Sequence, residues 1–272
     1  MSRRYDCSDP DQRAMGLADV VIAIPKYELV VFPTDTVYGV GVDAFIPPAV
    51  TKLLEAKGRG RDMPPPVLVG TVRAATALVD TLGPYGQDLI DAFWPGPLTL
   101  ICRVNRSLSW DLGDTKGTVA IRMPQHPLAL ELLKQTGPLA VSSANRSGAP
   151  AATTAAEAEE QLGDSVGVYL DGGPTEGNIP STILDLTTAV PRLLRRGAIP
   201  VGRLRGVVGY VATDGEPEQD TDAAKADQKP ETKPEPGTAT GAATETAPGA
   251  ASGAASGAEV KPEAGAKPES RD

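Results

Sequence analysis

Histidine and cysteine, the side chains most often recruited as catalytic base and nucleophile, are nearly absent from this sequence. Its 272 residues hold one histidine, His126, and two cysteines, Cys7 and Cys102. A single imidazole removes most histidine-based zinc sites and most Ser-His or Cys-His nucleophile systems. Two cysteines in unrelated contexts make neither a disulfide framework nor a CxxC metal pair. No run of about 18 apolar residues occurs, which excludes a membrane-spanning helix on length. The opening MSRRYDCSDPDQ lacks the apolar stretch of a secretory signal. The expectation is a soluble cytoplasmic protein.

Aromatic residues are scarce, and residues 213–272 contain none and almost no branched aliphatics. That segment is built from Ala, Gly, Pro, Thr, Glu and Lys, and cannot bury enough apolar surface to offset its ordering entropy. It reads as a disordered acidic tail. After Val211 there are 13 acidic and 6 basic residues, so the tail holds −7 of the total charge of −9 and leaves −2 for the rest. The acidic balance therefore does not exclude an RNA partner for the folded part.

Residues 1–212 alternate short apolar runs with helical patterns, the signature of a single α/β domain. ELVVF before Pro33, PVLVG (66–70), PLTLICRV (97–104), GTVAIRMP (117–124), PLAVSS, VGVYLDGG and STILDL read as strands. PPAVTKLLEAKG, TVRAATALVDTLG (71–83), GQDLIDAFWPG, HPLALELLKQTG and TTAAEAEEQLG read as helices, opened by Pro or Thr and closed by Gly or Pro. Phe93 and Trp94 read as core, and His126 as a surface or cap residue.

YGVGVDA places Gly39, Gly41 and Ala44 at the G-x-G-x-x-A spacing of a dinucleotide-binding turn. Such a turn must follow a strand directly and open a helix. Here the strand ends near Phe32 and the next helix begins at Pro47, so the context is missing. No G-x-x-x-x-G-K-[ST] loop occurs either. KGRGRD interleaves Lys57, Arg59 and Arg61 with two glycines, a pattern that suits an anionic ligand as well as it suits a helix C-terminus. SSANRSG offers Ser143, Asn145 and Ser147 at alternate positions, a dense donor and acceptor set that by itself reads as a cap and turn before it reads as a ligand site. Arg122 ends one strand pattern, Arg195 precedes a glycine, and Asp171 opens DGG.

Taken in order, FPTDTVYGVG (32–41), KGRGRDMPPPVLV (57–69), WPGPLTL (94–100), VAIRMPQHP (119–127), VSSANRSG (141–148), PSTILDL (180–186) and LLRRGAI (193–199) resemble the YrdC-like family of threonylcarbamoyl-AMP synthases. The resemblance implies a twisted, open mixed sheet flanked by helices, with a concave basic cavity. It implies joining of L-threonine, bicarbonate and ATP into threonylcarbamoyl-adenylate with release of pyrophosphate. A separate threonylcarbamoyl-transferase would then modify adenosine in transfer RNA, with direct tRNA binding left open.

The same resemblance implies site roles. Lys57, Arg59, Ser143 and Asn145 would be catalytic and hold ATP. Arg195 and Arg61 would contact ATP, while Thr34, Arg122 and Ser181 would hold threonine. Mg2+ would enter with the ATP phosphates, with no metal ligand from the protein. The chain departs from the family pattern at Gly60, where proline is usual, and in MPPPVLVG, which has neither Lys nor His. Two other readings of a basic cavity stand beside this one: a non-catalytic RNA-binding module and a transferase that uses carbamoyl phosphate.

Overall fold

The structure, a computed structural model, describes residues 2–175, 177 and 179–213. The acidic tail expected over 213–272 lies, Thr213 apart, outside the described residues.

Strand β1 (Arg3–Asp6) leads into helix α1 (Pro10–Ala23). Asp9 caps α1 by accepting from the Gln12 amide, with Pro10 as the first helical residue. Strands β2 (Leu29–Phe32) and β3 (Gly39–Asp43) precede α2 (Pro47–Lys57), which ends at Gly58 in the left-handed conformation. Then come β4 (Val67–Leu68), α3 (Val72–Leu78), β5 (Val79–Thr81), α4 (Gly86–Phe93), β6 (Leu98–Val104) and β7 (Thr118–Arg122). Helix α5 (Pro127–Thr136), β8 (Leu139–Ser143), α6 (Ala155–Leu162) and β9 (Val166–Asp171) follow. Strands β10 (Thr182–Asp185) and β11 (Arg192–Arg195) and helix α7 (Val201–Val208) complete the described fold.

The strands form one mixed sheet in the order β1-β9-β2-β3-β8-β4-β7-β6-β10-β11, with β5 added antiparallel on β6. Both faces are covered, so alternate residues of a strand enter different cores. Leu29 and Val31 of β2 pack with Val50 and Leu53 of α2, whereas Val30 and Phe32 pack with Val20 of α1 and Leu132 of α5. Cys7 and Cys102 are free thiols buried in these cores. Burial pushes Cys7 up to about 11 and Cys102 up to about 12, so neither is a ready nucleophile.

Three departures from the sequence reading have local causes. The helix expected over 71–83 stops at Leu78, because Val79 and Thr81 are β-branched and find a partner in β6. YGVGVDA contains strand β3 itself, between β2 and β8. A Cβ at Gly39 or Gly41 would stand 2.8 or 3.0 Å from a Val141 methyl, so these glycines serve close packing across β8. β1, α1, β11 and α7 are elements that the apolar patterning did not mark.

Candidate active site

Strand ends and the turns after them enclose a cleft of about 330 Å³. Seven residues singled out from the sequence line it: Thr34, Arg59, Arg122, Ser143, Asn145, Ser181 and Arg195. They come from six separate segments, and the sheet order is what brings them together.

The turn after β2 is folded by its own hydroxyls. Thr34 Oγ1 donates to the Val37 carbonyl at 2.7 Å and lies 3.0 Å from Thr36 Oγ1. Thr36 Oγ1 in turn accepts from Arg122 Nη1 at 3.1 Å. Arg122 sits at the end of β7, where Nε donates to the Gly96 carbonyl at 3.0 Å and Nη2 to Asp35 Oδ1 at 2.6 Å. Only 7% of the Arg122 side chain is exposed, so this is a buried ion pair. Burial lowers its pKa from the ordinary value and Asp35 opposes the shift. A guanidinium stays protonated regardless.

Arg195, at the end of β11, holds Ser181 through its carbonyl, at 3.0 Å from Nε and 2.8 Å from Nη2, and through its hydroxyl at 2.9 Å. Gly197 makes this approach possible: a Cβ there would stand 2.4 Å from the Pro180 carbonyl. Ser181 Oγ also meets Thr99 Oγ1 at 2.8 Å. Burial lowers the Arg195 pKa, and repulsion from Arg122 and Arg59 adds to the shift. Three guanidinium groups therefore share a cleft beside one carboxylate, Asp35. An anionic ligand would relieve that repulsion.

Lys57 is placed differently from its neighbours in the motif. It is 1% exposed and does not line the cleft. Its ammonium lies under the turn after β8, donating to the Ser143 carbonyl at 2.5 Å, to Asn145 Oδ1 at 2.8 Å and to the Asn145 carbonyl. Burial, with Arg59 adding repulsion, pushes its pKa down to about 7. The three oxygen acceptors act the other way, since a neutral amine could satisfy only two of them.

Asn145 is equally committed: its Oδ1 also accepts from Ser143 Oγ at 2.6 Å, and its Nδ2 donates to the Arg146 and Ala149 carbonyls. Lys57 and Asn145 thus build the turn, Lys57 from beneath it and Asn145 from the cleft wall. A direct phosphate contact was expected of Lys57; in this structure its ammonium is enclosed by protein oxygens beneath the loop.

Arg59 does reach the cleft. Gly58 reverses the chain at the end of α2, and Arg59 Nη1 donates to Ser142 Oγ at 3.1 Å while Nε has no partner. Arg61 does not. It lies outside the cleft, exposed, bonded to Asp111 at 2.8 Å and 3.6 Å from Asp114. Its expected ATP contact is therefore not supported, since the side chain is turned to another loop. Ser147 is likewise exposed and outside.

The sequence pattern that defines the Sua5/YciO/YrdC family, described as "Telomere recombination", matches residues 23–197. The chain belongs to this family. A Mycobacterium leprae protein provisionally named threonylcarbamoyl-AMP synthase is 55% identical over 211 residues, covering 78% of this chain and 96% of that protein. The Bacillus subtilis threonylcarbamoyl-AMP synthase is 40% identical over 204 residues, covering 73% of this chain and 58% of that protein. The crystal structure of Pyrococcus abyssi Sua5 complexed with L-threonine superposes with a TM-score of 0.70 at 35% identity, covering 72% of this chain and 58% of that one.

Within the Sua5/YciO/YrdC match, the cleft uses four polar residues that the sequence reading passed over. Thr36 and Asp35 hold Arg122, Ser142 holds Arg59, and Thr99 holds Ser181. Asp35 and Thr36 lie inside FPTDT, so their motif was visible and their partners were not. Where the sequence departs from the family pattern after Arg59, Pro66 and Leu68 present an apolar wall.

Proposed function

We propose that this chain makes threonylcarbamoyl-adenylate from L-threonine, bicarbonate and ATP for transfer RNA modification. The observation that carries this reading is the convergence of Arg59, Arg122 and Arg195 on one hydroxyl-lined cleft. The reaction is well served by such a site. The unprotonated threonine amine attacks the carbon of CO2 derived from bicarbonate, forming the N–C bond of a carbamate. A carbamate oxygen then attacks the α-phosphorus of ATP, and the bond to pyrophosphate breaks. No protein nucleophile is needed. Positioning and neutralisation of phosphate charge dominate the barrier.

In this scheme Arg59 and Arg195 meet the triphosphate, and Arg122 meets the threonine carboxylate with the Thr34 and Ser181 hydroxyls nearby. Lys57 and Asn145 hold the turn that presents Ser143. No group of three or more metal-ligating His, Cys, Asp or Glu side chains occurs among the described residues, and Asp35 is engaged by Arg122. That donor set fits Mg2+ carried by phosphate oxygens and not by side chains. When bound, Mg2+ supplies further charge neutralisation on the triphosphate.

No helix among the described residues is long and apolar enough to cross a membrane. The test is ATP–pyrophosphate exchange with each substrate omitted in turn. The reading expects exchange only when threonine and bicarbonate are both present. Exchange indifferent to threonine, or tight RNA binding without any exchange, would overturn it.

A further inference from the structure

The one histidine of the chain has no part in the reaction as drawn above, yet it stands behind the cleft. His126 occupies the cap position of α5 but makes no side-chain capping bond. It is half-buried, not a simple surface residue, and its Nδ1 is buried with no hydrogen-bond partner. The turn after β2 holds a matching orphan. Asp35 Oδ1 accepts from Arg122 at 2.6 Å and from the Gln125 amide at 2.9 Å, whereas Asp35 Oδ2 is buried and unpartnered. Gln125 is the residue before His126, so the amide that grips one Asp35 oxygen ties the backbone next to the imidazole to the same carboxylate. A buried carboxylate oxygen left without a donor is unfavourable, and so is a buried ring nitrogen left without a partner.

The two orphan atoms are not bonded to each other as the side chains stand. We propose that His126 is a positioning residue for the cleft: a turn of its ring brings Nδ1–H onto Asp35 Oδ2 and fixes the carboxylate that aims Arg122. The consequence for threonine rests on the proposed function, since Arg122 is there the group that receives the substrate carboxylate. The pairing itself does not rest on it.

The surroundings of the ring define what else acts on it. Burial lowers the His126 pKa from its ordinary value, Asp35 opposes this, and Arg13 of α1 adds to the lowering. Arg13 is itself paired with Glu131 of α5. Gly172, just past β9, packs close to the ring: a Cβ there would stand 3.6 Å from His126 Cε1. On the outer side Glu131 and Lys134 line a shallow cavity with His126, which leaves the ring reachable by water. Of these charged groups, Asp35 is paired with a cleft-lining residue, Arg122.

A chain with one histidine permits a direct test. Nitrogen-15 NMR of the full-length protein, followed across pH, reads the protonation state and tautomer of His126 alone. The proposal expects the neutral ring to carry its proton on Nδ1. It also expects Asp35→Asn to lower the titration midpoint by on the order of one pH unit, since a nearby opposite charge is lost. In steady-state assays His126→Gln is expected to raise the threonine KM about tenfold, with the ATP KM and kcat near wild type. His126→Asn can place its amide nitrogen near the Nδ1 position and is expected to recover most of that loss.

A neutral ring protonated on Nε2 would overturn the proposal even if Asp35→Asn fails to fold. So would equal titration in wild type and Asp35→Asn, or equal losses in the Gln and Asn variants. The NMR readout needs no turnover. A wild-type protein that makes no adenylate but shows the Asp35-dependent titration would sink the proposed function and keep the pairing.

Discussion

Arg122 and Arg61 each face aspartate, and the structure puts the two arginines to different use. Arg122 is enclosed at the end of β7, with Asp35, Thr36 and Gly96 as partners. Arg61 is more than half exposed and reaches Asp111 and Asp114 across open surface. The Coulomb attraction is nominally alike, but solvent screens one pair and not the other. Proximity to an acid therefore says little. Burial of both partners is what ties Arg122 to the stability of the cleft.

The comparison breaks most visibly if Asp35 is removed. Asp35→Ala leaves a buried guanidinium without its carboxylate, which costs about 3–5 kcal/mol. Urea denaturation is expected to show the midpoint falling with an unchanged slope. A midpoint near wild type would mean that Arg122 relaxes outward and is not held as described. An intermediate test concerns Arg59, which lines the cleft and makes one side-chain bond, to Ser142. Arg59→Ala is expected to leave the denaturation midpoint close to wild type and to lower threonine-dependent ATP–pyrophosphate exchange about 10²–10³-fold. The smallest effect is expected at Arg61. Arg61→Ala should leave both midpoint and exchange rate near wild type at physiological salt. A large loss of exchange there would restore the ATP contact first expected of it.

KGRGRD shows how far the sequence could be read. Its composition suited an anionic ligand as well as a helix C-terminus, and three cations at alternate positions gave no means of ranking them. The ranking depends on Gly58, which reverses the chain so that Arg59 turns to Ser142 while Lys57 stays on the buried end of α2. What covers the Lys57 ammonium is a turn 86 residues later, which no local pattern reports. YGVGVDA carries the opposite lesson. The absence of a helix after its glycines correctly removed the dinucleotide reading, but their packing against Val141 is a cross-strand contact and needed the sheet register.

Most strands were legible as short, largely apolar runs and most helices as periodic apolar positions, bounded by Pro, Thr or Gly. The N-terminal strand and helix were not, although Asp9 and Pro10 form an ordinary capping signal. α1 is apolar on a narrow stripe and exposes Met15 and Ile22, which blurs its period. The short edge strand β11, RLLR, alternates so little that only its partner β10 defines it. The site residues were legible as an ordered set of motifs, and their hydrogen-bond partners were not.

The central claim is that the arginine cleft unites threonine, inorganic carbon and the adenylyl group in one molecule. Mass spectrometry of the products from ATP, L-threonine and carbon-13 bicarbonate tests it most directly. The account predicts an adenylate that contains threonine and one labelled carbon, with pyrophosphate released. Pyrophosphate release with no labelled threonine adduct, or no turnover in the intact protein, would contradict it.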